Sequence, residues 1–133
     1  MMIRSNVFKR LGGLDEKYFM YFEETDFCFR SRDIGVRVTY FPHAEIIHYG
    51  GESAKYNKSV VVINKIVSSY FFPSQYYYYR KNYGVISMLA IRSLDFIYGI
   101  VLVVRNCLRS NPGKKKSGMR LGKILVTMSL GCK

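Results

Sequence analysis

Apolar and polar positions divide the chain into two stretches of different texture. In the first, Val7, Phe8 and Leu11 share one helical face behind Ser5, a residue suited to an N-cap, and the pair Gly12-Gly13 stops the run, so a short helix is expected over Ser5–Leu11. Leu14–Phe22 follows as a loop rich in aromatic residues. Glu24–Ile34 reads as a second helix, with Phe27, Cys28 and Ile34 on one stripe and Gly35 at its end. Val36–Phe41 alternates Val36, Val38 and Tyr40 with Arg37 and Thr39, a strand pattern closed by Pro42. Glu45–Tyr49 reads as a second short strand that Gly50-Gly51 turns.

From Tyr56 onward the pattern becomes continuous. Val60–Phe72 is expected to be helical and to be interrupted by Pro73. Ser74–Tyr83 continues as a Tyr-rich basic helix that Gly84 ends, and Val85–Val104 is a long apolar run broken by Arg92 and Asp95. Asn111–Gly118, with three successive lysines, reads as a linker, and Met119–Lys133 as a short basic, apolar tail. These shifts divide the chain into 1–55, a helical extension 56–110 and a basic linker and tail 111–133.

Composition adds an asymmetry. The 133 residues carry a net charge of +12, yet residues 1–52 hold eight acids against seven Lys and Arg. Residues 53–133 hold Asp95 alone against fourteen bases. A positive half rich in Tyr and Phe points to an anionic partner. Tyr76–Tyr79 followed by Arg80 and Lys81 has the ingredients for stacking nucleic-acid bases, but no recognition motif accompanies it and nucleic acid is set aside. A membrane surface fits better: Tyr favours the headgroup level and Lys and Arg meet anionic lipid. Val85–Val104 approaches the ~20 residues of a span. Arg92 and Asp95 at its middle favour a helix lying at the interface or packed in protein. Three separated cysteines without a CxxC pair imply free thiols and a reducing compartment.

The candidate chemistry lies in the acidic half. Glu23, Glu24 and Asp26 stand among Tyr18, Phe19, Tyr21, Phe22 and Phe27. One reading is structural: Glu23 and Glu24 favour the first turn of a helix, and Asp26 pairs with Arg30 one turn on. The other is catalytic: a carboxylate in apolar surroundings has its pKa raised and serves as a general base. Aromatic walls from Tyr18, Phe19, Tyr21 and Phe22 would suit the C–H faces of a sugar and exclude water.

The order of motifs extends the catalytic reading. GGLDEKYFMYFEETDFCFR over residues 12–30, then Pro42 and Ala44, then EIIHYGGES over residues 45–53, resembles the C-terminal part of the catalytic domain of glycosyltransferase family 2. The likeness is greatest to its rhamnosyltransferase-like members, which build bacterial surface polysaccharides. Tyr79–Gly84 is similar to the segment that follows in these enzymes. The resemblance implies an α/β fold of the GT-A type and an inverting transfer from a nucleotide-sugar donor to a glycan or lipid-linked acceptor. Glu24 stands where the family has an Asp general base, with Glu23 beside it. Asp26 and Arg30 would orient the helix and the acceptor site. His48 matches a family residue that helps bind a divalent metal, Mg or Mn, on the leaving diphosphate. The sequence holds no Asp-x-Asp, so it is read as the C-terminal portion of a longer enzyme whose donor site lies elsewhere, peripheral on the cytoplasmic face of the membrane. The rival reading is a non-catalytic, membrane-associated binding module derived from such a transferase.

Overall fold

The computed structural model describes residues 1–43, 45, 47 and 67–131. Among the described residues four α-helices follow in order: α1 (Ser5–Arg10), α2 (Glu23–Asp33), α3 (Phe72–Cys107) and α4 (Pro112–Ser129), with a π-helical turn, Val67–Phe71, leading into α3. The expected α/β architecture is not observed. Among the described residues there is no strand. Val36–Phe41 carries the alternating pattern, but such a pattern becomes a strand only when a neighbouring backbone takes its N–H and C=O groups. The Val36 N–H instead closes the end of α2 on the Ser31 carbonyl at 2.9 Å, no neighbouring strand is present among the described residues, and Val38 and Tyr40 are 54% and 87% exposed. Most of the second proposed strand, with His48, lies outside the described residues, as do residues 60–66 of the third proposed helix.

α2 begins abruptly. Tyr21 and Phe22 both adopt the left-handed conformation, each with φ 69°, and Phe22 forms the N-cap without a side-chain cap bond. This conformation costs a non-glycine residue about 1–2 kcal/mol. Aromatic contacts hold it: Tyr21 and Phe22 pack on Phe71 at ring separations of 5.6 and 5.5 Å, and Phe22 also meets Tyr78 at 5.4 Å. Glu23, Glu24 and Asp26 fill the first turn, where the helix dipole favours carboxylates.

Pro73 opens α3 rather than interrupting a helix, since a proline in the first turn forfeits no helical hydrogen bond. Gly84, at φ 87° and ψ 175°, folds α3 sharply into a first arm, 72–83, and a second arm, 85–107. The Tyr76 hydroxyl therefore donates to Asp95 at 3.0 Å, across 19 residues that a straight helix would stretch to about 28 Å. Arg92 lies over the Tyr76 ring and donates to the Ser129 carbonyl at 2.8 Å. Phe72, Leu102 and Leu125 form the buried core where both arms meet α4.

The expected linker is the start of α4. Asn111 accepts the Lys114 backbone N–H at 3.1 Å and Pro112 follows it, a cap and first turn that carry the helix through the lysine run. The second arm and α4 pack closely because glycines face each other. A Cβ on Gly99 would stand 2.9 Å from the Gly122 carbonyl, and one on Gly122 2.8 Å from that of Gly99.

A carboxylate clasp and an adjoining cavity as the candidate functional site

The two sequence motifs, residues 12–30 and Tyr79–Gly84, meet at Asp26. Its carboxylate is fully buried and accepts four hydrogen bonds. They come from Arg30 Nε at 2.8 Å, Lys81 Nζ at 2.8 Å, Asn82 Nδ2 at 3.0 Å and the Tyr18 hydroxyl at 3.2 Å. Lys81 also donates to Asp15 at 2.7 Å, and Tyr77 donates to the same oxygen at 3.0 Å. The ammonium stands 5.7 and 6.0 Å from the rings of Tyr18 and Tyr77. Arg30 extends the clasp into the preceding loop, donating to the carbonyls of Leu11 and Gly13, both at 2.8 Å. One lysine on the first arm of α3 thus ties α2 and the Gly12–Met20 loop together.

The electrostatics follow from this geometry. Burial raises the carboxyl pKa of Asp26, but the hydrogen bonds from Asn82, Lys81 and Arg30 outweigh it and hold the group below the usual carboxylate range. For Asp15, burial likewise opposes the bonds from Lys81, the Lys17 backbone and Tyr77, and the balance falls to about 2. Burial, then the Asp26 charge, pushes the Tyr18 phenol far up, so Tyr18 remains a donor. Lys81 is desolvated but held above its ordinary value by the two aspartates.

Glu23 and Glu24 stand apart from the clasp. Glu24 is exposed, and Glu23 is half-buried, with Oε2 buried and lacking a hydrogen-bond partner among the described residues. The aromatic residues expected to wall a pocket pack on α3 and the π-helical turn instead. Tyr18 meets Tyr77 at 5.0 Å, Phe19 meets Tyr70 at 4.7 Å, and Tyr21 and Phe22 meet Phe71. A cavity of about 470 Å³ opens on another face of α2, lined by Thr25, Cys28, Phe29, Arg32, Val38, Tyr78 and Tyr83. Thr25 directly follows Glu24 and Cys28 stands one turn beyond it, so the cavity and the acid pair share the first half of α2.

Among the described residues no three His, Cys, Asp or Glu side chains converge as a metal site requires. Asp15 and Asp26 are neutralised by Lys81 and Arg30. His48 lies outside the described residues.

Lys81, Asn82 and Tyr77 are the site residues that sequence reasoning did not single out. A signal was present: the Tyr79–Gly84 motif places a lysine and an asparagine on a helix in a chain whose acids lie almost entirely in the other half.

The chain is related to glycosyltransferases of the family 2 kind, rhamnosyl and hexosyl transferases of glycan biosynthesis, over about 40% of its length. It is 45% identical over 49 residues, 37% of its length, to rhamnosyltransferase WbbL of Escherichia coli. It is 38% identical over 53 residues, 40% of its length, to N-acetylglucosaminyl-diphospho-decaprenol L-rhamnosyltransferase of Mycobacterium tuberculosis. It is 40% identical over 48 residues, 36% of its length, to a low-salt glycan biosynthesis hexosyltransferase of Haloferax volcanii. These matches span 19%, 17% and 16% of the respective relatives, so the chain corresponds to less than a fifth of each. No family model matches the chain, and no solved structure matches it significantly.

Proposed function

We propose that this chain forms the acceptor side of an inverting sugar transferase, with Glu24 as the general base. The acceptor hydroxyl attacks the anomeric carbon of a nucleotide sugar while its proton passes to the Glu24 carboxylate. The bond from that carbon to the diphosphate breaks, and the nucleoside diphosphate leaves on the opposite face. The observation that carries this reading is the division of labour among neighbouring acids. Asp26 is saturated by four donors and fixes α2, whereas Glu24, two residues earlier, is exposed in the first turn of the same helix, whose Thr25 and Cys28 line the neighbouring cavity. A base must reach its proton directly or through one water, and a rigid helix terminus keeps it there.

The acceptor is assigned to that open cavity. Phe29, Tyr78 and Tyr83, packed on one another, give the cavity an aromatic lining suited to a sugar, and Arg32 offers a cation to a phosphate. The Mycobacterium tuberculosis relative, by its name, acts on a diphospho-decaprenol acceptor, and a lipid-linked acceptor of that kind is proposed here. Tyr18, Tyr21 and Phe22 serve to hold α2, and Glu23 supports the base. A divalent cation, Mg or Mn, with His48 among its ligands, belongs to the proposal for the whole protein. The test is Glu24→Gln. Sugar transfer by the whole protein should fall by at least about a hundredfold with helicity unchanged. Undiminished transfer would remove Glu24 from the role of base.

A further inference from the structure

The second arm of α3 shows α4 a face of Arg92, Asp95, Gly99, Leu102 and Asn106, half-buried or buried. Its opposite face carries Leu94, Ile97, Tyr98, Val101 and Val104, with Leu108 at the C-cap beyond them, each more than half exposed. Such a stripe is larger than the scattered apolar residues of an ordinary surface. The hairpin as a whole also exposes one sign of charge. Arg105, Arg109, Lys114, Lys116, Arg120 and Lys123 are all exposed on the arm, the connecting turn and α4. The lone acid of these two elements, Asp95, is turned inward to the Tyr76 hydroxyl.

We propose that the hairpin of the second arm and α4 is a membrane-surface anchor. It lies along an anionic bilayer with the apolar stripe among the upper acyl chains and the basic residues against lipid phosphates. Charge complementarity selects this occupant, since a second copy of the chain would bring the same cations into contact. The same geometry argues against a span. Ser69–Cys107 is long and apolar enough to cross a membrane, but α4 packs along its second arm through Gly99 and Gly122 and would carry exposed Arg120 and Lys123 into the acyl chains. The hairpin therefore holds the clasp and the cavity at the level of the lipid headgroups.

The test uses flotation of the full chain with neutral phosphatidylcholine vesicles and with vesicles containing a third phosphatidylglycerol. Binding should require the anionic lipid and fall at least about tenfold between 0.1 and 0.5 M salt, as screening shortens the reach of the charges. Lys114→Glu with Lys116→Glu should lower it about tenfold or more, and Val101→Asp should lower it comparably without loss of helicity. The chain has no tryptophan, so Tyr98→Trp supplies a clean depth probe. Its fluorescence should be quenched most by lipids brominated near the headgroup, whereas a Phe41→Trp control should not respond. Equal binding to neutral vesicles, no binding to either, quenching deepest at the bilayer centre, or a salt-resistant dimer that ignores vesicles would each overturn the proposal. The assay needs neither donor nor acceptor, so its failure leaves the transfer reading standing.

Discussion

Asp26 explains why a basic chain keeps carboxylates among aromatic side chains. Its charge is compensated by Lys81 and Arg30, and the surrounding rings exclude water that would weaken those bonds. Removing one partner leaves a buried charge short of its compensation, so Lys81→Met should destabilise the fold by about 3 kcal/mol in urea unfolding. The pH dependence has a definite sign. Asp15 and Asp26 have folded pKa values below their ordinary 3.8, so their contribution is complete above about pH 4 and is lost as pH falls toward 2. Lys81, with a raised pKa, contributes below its ordinary 10.5 and loses that contribution as pH climbs past its folded value. In Lys81→Met the acid transition should begin nearer pH 4, read by circular dichroism. The Asp26–Arg30 pair was legible in the sequence from its spacing of four. Lys81 was not, because it lies 55 residues away and only the fold at Gly84 and the packing of the first arm bring it near.

At the scale of elements, local signals served well where they act locally. Ser5–Arg10 and α2 form close to the expected bounds, and Gly84 stops the first arm. The lysine run misled because charge and glycine read as a linker, whereas Asn111-Pro112 is a helix start that outweighs them. Asn111→Ala should cost about 1 kcal/mol of stability, visible as a lower melting temperature. The α3–α4 contact was invisible to periodicity, since it depends on glycines that offer no side chain to a hydrophobic pattern. Gly122→Ala drives a methyl into the Gly99 carbonyl and the Val103 backbone, and should destabilise the hairpin by about 1–3 kcal/mol. Thermal unfolding followed by helicity checks this. Val36–Phe41 marks the opposite failure: its alternation is a request for a pairing partner, and pairing is not a local property.

Across the whole molecule, the acid-rich half and the apolar, basic half are joined by the first arm of α3. That arm gives Lys81 and Asn82 to the clasp, Tyr78 to the cavity, and Phe72 and Tyr76 to the hairpin. The order of motifs made the relationship to sugar transferases legible from the sequence. The position of the cavity was not, since Phe29, Tyr78 and Tyr83 converge only once the arm docks on α2. The most direct test transplants this half into a working enzyme. The 53-residue stretch of the Mycobacterium tuberculosis rhamnosyltransferase that matches this chain is replaced by the chain's own sequence, and rhamnosyl transfer is measured. Transfer by the chimera is expected, retained by Glu24→Asp, which restores the residue the family resemblance implies there, and lost by at least about a hundredfold in Glu24→Gln. A chimera that transfers equally well with Glu24→Gln would contradict Glu24 as the base.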